Sequence, residues 1–261
     1  MTNQPLYIIK VGGNIIDNDE KLNEFLRAFA ALKGRKILVH GGGKLATKLA
    51  KDLSIPQEMV DGRRITDAET LKIVTMVYAG LINKQIVARL NALGSKSVGL
   101  SGADANVIRA HKRIHPTIDY GYVGDVDQVD AKFLLSLIDQ DLNVIIAPIT
   151  QDNTGQLLNT NADTIAQEVA KAVGSLTPSV LIYSFEKKGV LLDVNDETSV
   201  IPSIDTETFE KLKSEKAIFE GMIPKLENAL QAVQSGVQKV IIGDATALEL
   251  LIEGTSGTTI H

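Results

Sequence analysis

The chain contains no cysteine, which excludes disulfides, thiol catalysis and cysteine-based metal sites. Its four histidines, His40, His111, His115 and His261, fall at no metal-ligating spacing, and no Ser-His-Asp arrangement suggests itself. There is no GxxxxGK[ST] segment, so a P-loop is excluded. No apolar run approaches about 18 residues, and no basic segment leads into an apolar one, so the sequence indicates neither a membrane span nor a signal peptide. Low-complexity stretches and fixed-period repeats are lacking too. A net charge of −5 argues against a nucleic-acid or anionic-membrane partner, so any site for an anion must be locally positive. These absences together lead to the expectation of a cytoplasmic protein.

What is present is an alternation. In 261 residues, 44% of them hydrophobic, short apolar strands are followed by helical periodicities, with ample material for a core. Strands are expected at Leu6–Val11, Lys36–His40, Ser97–Ser101, Asn143–Ile149, Val180–Phe185 and Lys239–Ile242. Leu22, Phe25, Leu26, Phe29 and Leu32 mark a helix closed by Gly34, and Leu45, Leu49 and Leu53 mark the next. The pattern predicts an α/β fold with a mostly parallel, helix-covered sheet.

The longest helix is expected from Thr66 to Leu93, opened by a Thr66/Glu69 capping box and closed by Gly94. Its apolar positions spread beyond one stripe, which fits either a deeply buried helix or one whose second face meets another subunit. Residues 104–130 read as a β-hairpin excursion built on Asn106–His111 and Tyr122–Val126. A further helix is expected over Asn161–Val173. The Ser175-Leu176-Thr177-Pro178 turn is the expected boundary between lobes of residues 1–174 and 175–261.

The chemistry-bearing residues gather at strand ends. Lys10 lies within an apolar strand and precedes Gly12-Gly13, a position at the carboxyl edge of a sheet where ligands bind; a solvated edge cation would also explain it. Gly41-Gly42-Gly43 joins a strand to a helix, offering backbone amides to an anion, unless it is only a tight turn. The same segment fits a GxGxxA pattern through Gly41, Gly43 and Ala46, but the stretch leading to Asp61 is a poor strand for a dinucleotide site. Arg63 and Arg64 stand before the long helix with forks suited to carboxylates, or to solvent. Asn159, Asn161 and Asp163 crowd one helix start beyond what a single cap needs. Lys225, beside Pro224, puts a cation at the positive end of a helix, which is unfavourable by roughly a few tenths of a kcal/mol unless an anion sits there.

Seven segments in this order resemble the amino-acid kinase family, and within it the kinases of N-acyl-L-glutamates. They are Ile8-Ile9-Lys10-Val11-Gly12-Gly13, Val39-His40-Gly41-Gly42-Gly43, Asp61-Gly62-Arg63-Arg64-Ile65-Thr66, Gly99-Leu100-Ser101-Gly102-Ala103-Asp104, Gly121-Tyr122-Val123-Gly124-Asp125-Val126, Leu158-Asn159-Thr160-Asn161-Ala162-Asp163 and Gly221-Met222-Ile223-Pro224-Lys225. The resemblance implies an αβα three-layer sandwich, with an acyl-glutamate lobe before residue 175 and an ATP lobe after it. It implies that Lys10 and Lys225 stabilise the transferring phosphoryl group and that Asp163 orients both. Gly12, Gly13 and Gly42 would meet phosphate oxygens, while Gly42, Gly43, Arg64 and Asn159 would hold the acyl-glutamate. The implied reaction is ATP-dependent phosphorylation of the γ-carboxylate, in arginine biosynthesis, with Mg²⁺ bound through phosphates and water.

Two segments depart from the family pattern. Ser184-Phe185-Glu186-Lys187-Lys188-Gly189 replaces a Thr-Asp or Ser-Asp step, where nucleotide contacts would fall. Ala103 and Ala105 flank Asp104 where Gly-Lys-Asp-Gly is usual, which leaves N-succinyl-glutamate as an alternative acceptor. The chain also lacks the N-terminal helical extension of arginine-inhibited hexamers, so a homodimer through residues 66–93, without strong arginine feedback, is expected. Other readings remain: a family member acting on another acid or on carbamate, a non-catalytic nucleotide sensor on the same fold, and a dinucleotide oxidoreductase.

Overall fold

The computed structural model describes residues 4–60, 63–193, 195–215, 217–218 and 222–261. Asp61, Gly62 and Gly221, each part of a motif above, lie outside the described residues.

An eight-stranded sheet organises the chain. Its strand order is Ser203–Ile204, Thr258–Ile260, Lys239–Asp244, Ser179–Phe185, Leu6–Val11, Lys36–His40, Asn143–Ala147, Ser97–Ser101. All neighbours are parallel except Lys239–Asp244 against Thr258–Ile260. Successive strand residues point to opposite faces, and here both faces are buried, so the strands are apolar throughout. Ile8, Ile37, Val39, Val144, Leu181 and Val240 enter one core. Ile9, Leu38, Ile145, Ile182 and Ile241 enter the other. Each such aliphatic side chain contributes about 1.5–3 kcal/mol through burial.

Helices cover both faces, giving three layers. Ala131–Ile138, Ala162–Gly174, Thr206–Ser214 and Ile223–Gln234 pack on the first core. Asp19–Ala31, Gly43–Asp52, Ala68–Ala92 and Leu248–Glu253 pack on the second. The αβα expectation therefore holds, with one continuous sheet running through residues from both sides of the 175–178 turn.

Three local expectations change. The long helix is capped by Asp67, whose Oδ1 accepts the Thr70 N–H at 2.7 Å, rather than by Thr66. Thr66 is wholly buried, and its hydroxyl donates to the Arg64 carbonyl at 3.2 Å and accepts from Asn159 at 3.0 Å. Within that helix Met76–Ile82 is wound as a π-helix, a distortion that re-aims side chains and recurs at functional sites. By length and composition Ala68–Ala92 could cross a membrane, but Leu71, Val74, Val77, Ile82, Ile86 and Leu90 are packed into the core.

The hairpin excursion is half of a closed barrel. Ile108–Lys112 and Val123–Val129 pair antiparallel as expected. Ile149–Gln151 and Leu157–Thr160 complete the barrel. The run expected as one strand, 143–149, is thus divided: Pro148 lacks the N–H that a ladder requires, and the chain passes there from the main sheet into the barrel.

Candidate active site

The parallel strands end together. Val11 lies opposite His40 in one ladder and opposite Ser184 in the other. Gly12-Gly13 and Gly41-Gly42-Gly43 therefore emerge side by side at the carboxyl edge, as the open-sheet rule requires.

Lys10, 8% exposed, directs its Nζ to 2.7 Å from Asp163 Oδ1. That oxygen accepts no aligned hydrogen bond, so the contact is an ion pair by distance alone. Asp163 sits in the first turn of Ala162–Gly174, and Asn161 caps it by accepting the Asp163 and Thr164 amides at 2.8 and 3.1 Å. Capping thus accounts for Asn161 but not for Asp163.

Lys225 arrives from the neighbouring helix Ile223–Gln234, on the same face of the sheet. Its Nζ lies 4.2 Å from the centroid of the Phe185 ring, and that of Lys10 lies 5.3 Å from the same centroid. Burial lowers the Lys225 pKa, Asp163 raises it, and the charge on Lys10 lowers it further. The two lysines, Asp163 and Phe185 line a cavity of about 500 Å³, together with Gly12, Gly13, Asn14, Asp17, Gly43 and Lys44. The Gly12 amide donates to the Ser184 carbonyl at 3.2 Å. Asp17 carries a raised pKa, first through burial and against the opposing charge of Lys44.

A second cavity, of about 220 Å³, is walled by Gly41–Gly43, Arg64, Tyr78, Arg113, Asn159 and Asn161. Arg64 is 8% exposed, and its Nη2 donates to the Gly43 carbonyl at 3.0 Å and to Thr47 Oγ1 at 2.9 Å. Its Nη1 donates to Gln57 Oε1. These bonds tie the guanidinium to the glycine turn. Asn159 is fixed through its carboxamide on Thr66 and its N–H on the Tyr122 carbonyl at 2.9 Å. Gly42 adopts φ 149°, and a Cβ there would fall 2.2 Å from Ile82 Cδ1, so only glycine fits.

Lys10, Lys225 and Asp163 thus converge on one cavity, Arg64 and Asn159 on the other, and Gly43 lines both. Arg63 also lines the smaller cavity, though exposed. Ala103 and Ala105 line neither; Asp104 turns instead to Ser101, accepting its N–H and hydroxyl at 2.6 and 2.8 Å. Sequence reasoning overlooked Lys44, Tyr78, Arg113 and Phe185. Lys44 was readable as a cation directly after Gly43. Tyr78 looked like core, and it is buried there, yet from within the π-wound turn it also lines the cavity. Arg113 forms a forked pair with Asp125, Nε lying 3.1 Å from each carboxylate oxygen, and holds that carboxyl below its ordinary pKa.

Fold and site together define an open-sheet α/β protein with a lysine-lined cavity and an arginine-lined cavity side by side. The chain belongs to the amino acid kinase family, which it matches over residues 5–244. It is 55% identical over 257 residues to the acetylglutamate kinase of Phocaeicola vulgatus, covering 98% of each chain. To the acetylglutamate kinase of Cytophaga hutchinsonii it is 55% identical over 260 residues, again with 98% of each covered. Among solved structures it superposes on smu.665 of Streptococcus mutans with a TM-score of 0.78 at 28% identity, covering 98% of both chains. It is a phosphotransferase.

Proposed function

We propose that the protein transfers the γ-phosphoryl group of ATP to the γ-carboxylate of N-acetyl-L-glutamate, a step of arginine biosynthesis. The observation that carries this reading is the meeting of the two cavities at Gly43: paired lysines stand on one side and a buried, oriented arginine on the other. The relatives named acetylglutamate kinase support the same acceptor.

The accepting carboxylate has an ordinary pKa near ~4.3 and is ionised at neutral pH, so no general base is required. Arg64 receives the α-carboxylate through the guanidinium N–H groups that its bonds to Gly43, Thr47 and Gln57 leave open, and Asn159 binds the neighbouring amide. Gly42 and Gly43 admit the γ-carboxylate to the junction without a side chain in the way. Lys10 and Lys225 spread the charge that develops on the phosphoryl oxygens, and Asp163 keeps Lys10 aimed. Gly12, Gly13 and Gly42 bring backbone close to the phosphates. Among the described residues no group of three or more histidines, aspartates or glutamates could cage a metal. In this reading Mg²⁺ is held by phosphates and water, where it neutralises charge.

The acceptor lobe spans residues 1–174 and the ATP lobe 175–261. Met76 and Leu81, 52% and 48% exposed on the long helix, form the face of a homodimer without arginine feedback. A cysteine-free enzyme using ATP belongs in the cytoplasm. The deciding experiment is a hydroxamate assay with ATP and N-acetyl- or N-succinyl-glutamate side by side. Product from N-acetyl-glutamate supports the reading; a preference for the succinyl acid corrects the acyl group; no product from either overturns it.

A further inference from the structure

The reaction as described leaves Phe185 without a part, although it lines the cationic cavity and its ring lies against both lysines. Phe185 ends the central strand Ser179–Phe185, and its ring stacks on Tyr183 at 6.3 Å between centroids with 17° between planes. That stacking fixes which way the ring faces. Lys10 has a carboxylate partner in Asp163. Among the described residues Lys225 has no ion-pair partner, and its ammonium rests on the Phe185 ring face at 4.2 Å.

A ring face attracts a cation through its quadrupole without taking its N–H bonds. A carboxylate in that place would occupy the ammonium donors and repel an incoming polyphosphate. The aromatic face does neither, and it eases the crowding of two like charges in a half-buried cleft. We propose that Phe185 is a positioning residue for phosphoryl transfer, its ring holding the Lys225 ammonium, and at longer range that of Lys10, charged and oriented before the nucleotide arrives. This rests on the reading of both lysines as phosphoryl-binding groups. The charged groups that face Lys225 are Lys10 and Asp163, with Asp17, Lys44, Glu186 and Lys187 around the same cavity. The Tyr183 phenol donates to the Asp163 carbonyl at 3.4 Å, and burial keeps it protonated by raising its pKa.

The test replaces Phe185 in the full chain by phenylalanines of rising fluorine content, which preserve shape while draining the ring quadrupole. Phe185→Leu and Phe185→Tyr accompany the series. Two readouts are followed: the pH profile of kcat, and titration of the Lys225 ammonium by NMR in nucleotide-free protein. The expected result is a graded fall in kcat of roughly three- to tenfold across the series, with Lys225 titrating at progressively lower pH. Phe185→Tyr should stay nearer the parent than Phe185→Leu. A flat series in kcat with an unmoved Lys225 titration overturns the proposal. If the parent itself makes no acyl phosphate, the kinase reading fails separately, and the Lys225 titration alone decides whether the ring holds the ammonium.

Discussion

The imidazole of His40 and the carboxamide of Asn83, both wholly buried, meet at 3.2 Å beneath the Gly41–Gly43 turn. His40 Nδ1 lies 2.9 Å from the Gly41 carbonyl, which can only accept, so Nδ1 carries the proton and Nε2 accepts from Asn83. The Asn83 amide also donates to the Ile145 carbonyl at 3.0 Å, and Lys84 donates to its Oδ1 at 3.1 Å. The network leaves no place for a second proton on the ring.

Stability should therefore fall in mild acid. Burial lowers the His40 pKa to about 4 from 6.5, with the Gly41 carbonyl opposing and Lys84 adding to the shift. The unfolded chain binds the proton more readily, so stability is lost as pH falls from the unfolded value through the folded one. The full loss is about 3 kcal/mol. Denaturant unfolding at pH 7 and pH 4 should show this loss, and His40→Gln should flatten it; an equal acid dependence in both proteins would contradict the assignment.

Removing either cation should strike turnover more than folding. Lys10→Ala and Lys225→Ala should each lower kcat by about 10²–10³-fold, the scale of losing one transition-state charge contact. Asp163→Asn should cost less, because it orients Lys10 without touching the phosphoryl group. Acyl-phosphate formation, with circular dichroism to verify folding, measures all three; near-parent turnover in both lysine variants would remove them from the reaction.

Arg64→Lys should raise KM for the acyl-glutamate while leaving KM for ATP close to its parent value. The buried fork makes contacts with Gly43, Thr47 and Gln57 that an ammonium cannot reproduce. A loss of about 1.5–3 kcal/mol corresponds to KM rising by at least tenfold. Steady-state kinetics with each substrate varied in turn separates this outcome from an equal rise in both constants.

At Gly42 the backbone itself is the constraint. Gly42→Ala must hold φ near 149° and displace Ile82, whose Cδ1 would lie 2.2 Å from the new Cβ. The expected cost is about 2–4 kcal/mol in thermal unfolding, combining strain and overpacking. An unchanged melting temperature would mean the turn accepts a side chain.

The dimer reading is checked on the exposed side of the long helix. Met76→Asp with Leu81→Asp places two charges on that face, at positions 52% and 48% exposed in the single chain. Light scattering should report a monomer for the double variant and a dimer for the parent. A parent that is monomeric at micromolar concentration would dispose of the interface.

Much of the fold was readable because the main-sheet strands are buried on both faces and so stand out as short apolar runs. Leu6–Val11, Lys36–His40 and Ser97–Ser101 form where expected, to the residue. The barrel was only half legible: Ile149 follows closely on the apolar run of Asn143–Ala147, and only Pro148 marks the change of sheet. Thr66 fits a capping box as well as Asp67 fits a cap, and the choice rests on burial between Arg64 and Asn159, which no local pattern encodes. Lys10 and Lys225 were visible as cations in places that local structure disfavours, and Asp163 as one polar residue more than the cap of its helix needs. Phe185 and Tyr78 were not, since an aromatic ring beside a charge reads from sequence as ordinary core.

The ladder joining Leu6–Val11 to Ser179–Phe185 runs from Leu6↔Ser179 to Val11↔Ser184, and it is the seam between the two halves of the chain. Each half contributes four of the eight strands, and the seam pair occupies the centre of the sheet. Severing the chain at 175–178 would thus expose two raw parallel edges, each a template for the other and for any stray strand. Both halves of the chain share this one continuous sheet. A motion of one half as a whole against the other must twist this seam, since the two are paired along its full length.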